Sequence, residues 1–166
     1  MRKLDELNAC VPEWICLGTS FFQEFILKNT IDTSPLPNED WTTYENRISE
    51  IFVSGSLPQE HEDLLRQAFK DHHFDIEQMW FAVRSSGNDE DSQQASFAGQ
   101  LSTYLFQKYW IDIVLSIKKC WASGFSARSM IYRQEKKLST SEIKVSVIIQ
   151  KMLFPQAAGI CFTRNP

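Results

Sequence analysis

From Val83 to Gln100 the chain reads V-R-S-S-G-N-D-E-D-S-Q-Q-A-S-F-A-G-Q. An apolar run, Met79 to Val83, leads into it and delivers a single arginine, Arg84, to its start. The residues after Arg84 are small, polar or acidic, which makes the stretch a loop. The loop closes on Ser96-Phe97-Ala98-Gly99-Gln100, where small side chains let backbone N–H groups come close to a ligand. A strand-borne arginine beside such a loop is an arrangement for holding a polyphosphate. A fold that presents a strand, this loop and a return strand, and that handles a nucleotide, is the expectation.

At 166 residues the chain fits one domain, large enough to bury about two-thirds of its unfolded surface. Hydrophobic residues make up 43% and charged residues 23%, values ordinary for a soluble globular protein. A net charge of −4 argues against a nucleic-acid surface, which carries a basic excess. No apolar run approaches the roughly 20 residues that span a bilayer. The opening Met-Arg-Lys-Leu-Asp-Glu-Leu is too polar for a signal peptide. Neither nucleic acid nor membrane is expected as a partner, and the cytoplasm is the expected location. Cys10, Cys16, Cys120 and Cys161 stand far apart without a CxxC pair, so they read as reduced thiols in a core rather than zinc ligands. His72-His73 read as solvated turn residues, because adjacent histidines on a helix point in different directions.

Along the chain, Leu4 and Leu7 read as the last turns of a helix stopped at Val11-Pro12. Trp14 to Leu17 reads as a short buried strand. Thr19 or Ser20 is expected to cap a helix that buries Phe21, Phe22, Phe25 and Ile26. A Pro-rich loop runs from Asn29 to Asp40, and Tyr44 to Val53 forms a short helix. Pro58 suits a first helical position, with Leu64, Leu65, Ala68 and Phe69 as that helix's apolar stripe. Glu77 to Arg84 and Leu101 to Phe106 are strands. Trp110, Ile113, Val114, Ile117, Cys120 and Trp121 mark an amphipathic helix, followed by another from Ser126 to Lys137. Glu142 to Leu153 alternates and is rich in Val and Ile, a central strand. Ala158 to Thr163 is its expected antiparallel partner, and a strand so close to Pro166 implies that the natural protein continues.

Three ordered blocks carry a resemblance. The first is Val83-Arg84-Ser85-Ser86 with Ser96-Phe97-Ala98-Gly99-Gln100. The second is Lys119-Cys120-Trp121-Ala122-Ser123 with Phe125, Arg128, Tyr132 and Arg133. The third is Ile149-Gln150-Lys151-Met152 with Ala158 to Pro166. With Val11-Pro12, Phe22, Glu24 and Phe25, the chain resembles the N-terminal nucleotide-binding domain of the pyruvate phosphate dikinase and phosphoenolpyruvate synthase family. The match covers nearly the whole chain and is weakest from Asn29 to Asp75.

The resemblance implies an α+β, ATP-grasp-like fold, present in part, with a mixed or antiparallel sheet and packed helices. It implies ATP as ligand. Arg84 matches the arginine that binds ATP phosphates; its planar, charged fork suits phosphate oxygens. Gly99 matches the glycine of the phosphate-covering loop, and Thr103 a nearby threonine of the ATP site. Gln150, Met152 and Leu153 match the hinge that holds adenine and ribose, where methionine offers a soft apolar surface. The chain departs from the family in three ways. The Gly-Gly-Lys segment near the start is missing, with Lys3 at the wrong spacing. Leu101-Ser102 replace the usual Gln-Glu before the threonine. The residues that hold Mg2+ and complete catalysis lie beyond the Phe-Thr-x-Asn-Pro stretch, so neither a metal ligand nor a catalytic residue is expected within this chain.

Simpler readings cover the remaining features. Asp89-Glu90-Asp91 reads as a solvated loop rather than magnesium ligands. Trp110, Trp121 and Phe125 read as core at helical spacing, and Tyr132-Arg133 as partners of a carboxylate within the domain, with no catalytic role. The implied activity of the longer protein is transfer of a phosphoryl group from ATP to a histidine on a separate domain, which then serves a pyruvate or phosphoenolpyruvate domain. Alternatives are a rifamycin-type antibiotic phosphotransferase and a non-catalytic interaction module of the same fold.

Overall fold

The Val/Ile alternation near the end of the chain becomes an inner strand of an antiparallel sheet that has four strands among the described residues. The computed structural model describes residues 11–87, 102–139, 143–157 and 159. The readings for Leu4 and Leu7, Asp89 to Asp91, Gly99 and, apart from Gly159, Ala158 to Thr163 lie outside the described residues. In chain order the elements are β1 (Trp14–Leu17), α1 (Thr19–Lys28), α2 (Trp41–Ser54), α3 (Gln59–Asp71), β2 (Phe81–Gly87), β3 (Thr103–Gln107), α4 (Trp110–Ser123), α5 (Ala127–Lys136) and β4 (Val145–Lys151). The strand order is β1-β4-β2-β3, and every pairing is antiparallel. The architecture is α+β.

Because side chains alternate along a strand, register decides which residues meet. Val83, Val147, Ile149, Ile15 and Leu17 share one face and are buried with the helices in a single core. Trp14, Cys16, Ile148, Gln150, Arg84 and Thr103 share the other, where they are exposed or half-exposed. The sheet is therefore packed on one side and open on the other. The helix layer is built on aromatic rings: Phe25 lies 4.8 Å from Trp121 and 5.7 Å from Phe52, and Phe52 lies 5.6 Å from Phe125. Burying each contributes about 1.5–3 kcal/mol. The expected core places for Trp121 and Phe125 are observed, with Trp110 half-buried beside Phe69.

Several local expectations are corrected. Gly18, not Thr19 or Ser20, occupies the cap of α1, without any side-chain hydrogen bond; a single residue separates the helix from β1. α2 begins earlier, at Trp41, because Asp40 Oδ1 accepts from the N–H groups of Thr42 and Thr43, each at 3.0 Å. Pro58 is the cap of α3 rather than its first residue. Leu64 is 58% exposed, and His61 takes the buried place instead. His61 stacks on Phe21 at 4.3 Å, with Nε2 2.7 Å from Glu24 Oε2. β2 starts at Phe81, four residues later than expected, because Asp75 forms a turn: its Oδ1 accepts from Glu77 N at 2.9 Å and its carbonyl from Met79 N at 2.8 Å. Cys16 is exposed, not buried, since it alternates with Ile15 and Leu17.

Candidate functional site

The sequence predicts Arg84 where a strand meets a loop. Instead β2 runs on to Gly87, so Arg84 lies within the sheet with Thr103 of β3 on one side and Ile148 of β4 on the other. Its neighbour Val83 is wholly buried, which directs Arg84 to the open face. Thr103 stands directly opposite Arg84 on the same face. Gln150 lies on β4 across from Ala82, and Met152 and Leu153 come next as that strand ends. Arg84, Thr103, Gln150, Met152 and Leu153 line one cleft of about 380 Å³. Gly99 lies outside the described residues.

Pro12, Ala82, Leu105 and Lys151 complete the lining, and sequence reasoning missed them. Leu105 was within reach, because it shares the parity of Thr103 two residues on. Pro12 was not, because its place depends on pairing between β1 and β4, far apart in sequence. The cleft has a cationic side at Arg84 and an apolar side formed by Leu105, Met152 and Leu153. Backbone bonds fix the second: Lys151 N donates to Glu13 O at 3.0 Å and Met152 N to Trp80 O at 2.8 Å. Gln150 Nε2 donates to Pro12 O at 3.4 Å.

Beside the cationic end, Ser85 joins the strands. Its N–H and hydroxyl both donate to Ser102 O, at 3.1 and 3.0 Å. Cys120 lies on the other side of the sheet, 3.8 Å from the carbonyls of Val83 and Ser102. Burial pushes its thiol up to about 12, so it stays protonated and is no nucleophile for the cleft. Arg133, read as a partner for a carboxylate, donates from Nε to the backbone carbonyl of Ser139 at 3.1 Å and holds the chain leaving α5. Among the described residues no group of three or more His, Cys, Asp or Glu side chains is placed to hold a metal. No described helix is long and apolar enough to cross a membrane.

The family model described as pyruvate phosphate dikinase, AMP/ATP-binding domain, matches residues 1–166. The chain belongs to that family. Its α+β architecture is that of an ATP-grasp-like domain. Relatives of this dikinase-family domain include a probable phosphoenolpyruvate synthase of Pyrococcus horikoshii, 35% identical over 97% of this chain and 19% of that protein. The phosphoenolpyruvate synthase of Pyrococcus furiosus is 33% identical over 98% of the chain and 20% of that protein. A rifampicin phosphotransferase of Bacillus cereus is 36% identical over 94% of the chain and 19% of that protein. The chain thus spans about a fifth of the length of these relatives.

Proposed function

We propose that the open-face cleft binds ATP for a phosphoenolpyruvate synthase-like or dikinase-like phosphotransferase. The single observation that carries this reading is the convergence of Arg84, Thr103, Gln150, Met152 and Leu153 on one cleft. In this reading the Arg84 guanidinium neutralises phosphate oxygens through paired N–H donors. The Thr103 hydroxyl, opposite it, donates to the same group. Gly99 covers the phosphates from the loop. Met152 and Leu153 face the adenine, with Gln150 beside the base and ribose. ATP supplies the phosphoryl group; positioning and charge neutralisation are the chain's share.

The reading extends beyond this chain. It takes the 166 residues as part of a longer cytoplasmic enzyme, with the Mg2+ ligands, a phosphohistidine domain and a pyruvate or phosphoenolpyruvate domain supplied elsewhere. One observation favours a second acceptor. A rifampicin phosphotransferase of Bacillus subtilis is 37% identical over 94% of the chain, as similar as the synthases. Assaying ATP consumption with pyruvate and with rifampicin, in the full-length protein, separates the two.

Calorimetric titration tests the cleft itself. Arg84→Ala is expected to weaken ATP binding about tenfold or more, since hydrogen bonds to charged groups contribute about 1.5–3 kcal/mol. AMP, with fewer phosphate oxygens, loses less. Equal ATP affinity in the two proteins removes Arg84 from the phosphate site.

A further inference from the structure

Phe106 has a φ of 58°, in the left-handed region that residues other than glycine, asparagine and aspartate rarely adopt. It sits in a β-bulge. Phe81 pairs with Gln107 and Val83 with Tyr104, so Leu105 and Phe106 together face the single residue Ala82. Bulges re-aim side chains beside binding sites. The residue is 56% exposed, its ring 6.3 Å from those of Trp80 and Phe154, so burial offsets only part of the cost of the unfavourable backbone. The left-handed turn also makes a bond: Phe106 N donates to Met152 Sδ at 3.0 Å. The bulge is anchored from behind as well. Gln107 Nε2 donates to the Leu105 carbonyl at 2.6 Å, and Gln107 Oε1 accepts from Ser116 Oγ of α4 at 2.9 Å.

Met152 is where such a bond matters. An unbranched thioether has three rotatable bonds and is otherwise a mobile surface. Its backbone is already tied to Trp80; the bulge ties its tip. We infer that Phe106 is a positioning residue whose left-handed bulge fixes the Met152 thioether as the wall against which a nucleotide's adenine ring lies. The inference rests on the nucleotide reading of the cleft. A wall fixed in advance spares the ligand the cost of immobilising one flexible side chain on binding. β3 thereby acts on base recognition through Met152, while Arg84 on β2 acts on the phosphates.

Methionine-methyl carbon-13 NMR of the chain reads this directly, because it contains only four methionines. The Met152 signal is assigned by its loss in Met152→Ala. Phe106→Val opens the bulge, since a β-branched residue tolerates positive φ least; Phe106→Asn keeps it, since asparagine tolerates it best outside glycine. The Met152 methyl shift is expected to move toward a rotamer-averaged value in Phe106→Val and to stay at its wild-type position in Phe106→Asn. AMP affinity is expected to fall about threefold to tenfold in Phe106→Val, the equivalent of immobilising one side chain, with tripolyphosphate affinity unchanged and Phe106→Asn close to wild type. Exchange of the Phe106 amide is expected to quicken in Met152→Ala, a reading that needs no substitution at Phe106. A Met152 methyl unmoved by Phe106→Val, or equal effects of Val and Asn, overturns the inference. A moved methyl with AMP affinity untouched in both Phe106→Val and Met152→Ala overturns the adenine assignment of the cleft while the bulge geometry stands.

Discussion

Two buried acids set the behaviour of this domain in alkali. Cys120 is pushed up to about 12 by burial in α4. Tyr44 is also pushed up to about 12, mainly by burial, and its hydroxyl donates to Thr33 O at 2.8 Å. In the unfolded chain the thiol and phenol lose their protons near their ordinary values of about 8.5 and 10. Between those values and 12 the unfolded state holds fewer protons than the native state, so stability falls as pH rises. Their stabilising contribution is complete below about pH 8.5. Urea midpoints are expected to fall from about pH 9 upward, and Cys120→Ala, weaker at neutral pH, to lose less between about pH 8.5 and 10. A variant profile as steep as wild type in that window excludes Cys120 as the source. At this scale sequence reasoning succeeds where periodicity alone decides, as for Cys120 on its helical stripe. It fails at Cys16, because Trp14 to Leu17 reads as wholly buried although alternation turns every second residue outward. His61 escapes it for a different reason: its partner Glu24 is 37 residues away, and neither neighbourhood marks the pair.

Helix α4 approaches β4 so closely that Gly124 just past its end has no room for a side chain. A Cβ there would lie 2.6 Å from Val145 Cγ2 and 3.1 Å from Ile143 Cγ2. Its φ of −61° is one that any residue adopts, so close approach rather than conformation is what demands glycine. Gly124→Ala is expected to destabilise the domain by about 1–3 kcal/mol through overpacking, measured as a lower urea midpoint at constant m-value. A loss below about 0.5 kcal/mol shows that β4 gives way instead. Elements of this kind are legible where hydrophobic spacing is strong: the sequence places α4, α5 and β4 to within three residues at each end. Other edges are not legible. The start of β2 depends on an Asp75 side-chain turn, that of α2 on the Asp40 cap, and the β3 bulge on a left-handed residue with no glycine to signal it. All three are decided by a few local hydrogen bonds, which leave no period in the sequence.

Across the whole molecule, the decisive property is that the sheet has a packed face and an open one. Alternation in Val145–Lys151 hints at two faces, yet which strands join β4, and so which residues share the cleft, emerges only from the β1-β4-β2-β3 order. Adjacent residues of β4 test this sidedness. Ile149 is wholly buried beneath the helices. Ile148 is half-exposed and lies in register between Cys16 and Arg84 on the cleft side. A carboxylate at position 149 is left without a partner in an apolar core, and Ile149→Glu is expected to cost more than about 4 kcal/mol and to unfold much of the protein. A carboxylate at position 148 remains in water beside the Arg84 guanidinium. Ile148→Glu is therefore expected to change stability by no more than about 1 kcal/mol. It pairs with Arg84 and repels phosphate oxygens, so ATP binding is expected to be lost while the circular-dichroism spectrum and thermal midpoint stay near wild type. If the two substitutions damage folding equally, both faces are packed and the cleft cannot be the binding surface. If Ile148→Glu folds and still binds ATP as tightly as wild type, the phosphates do not approach Arg84 from this face.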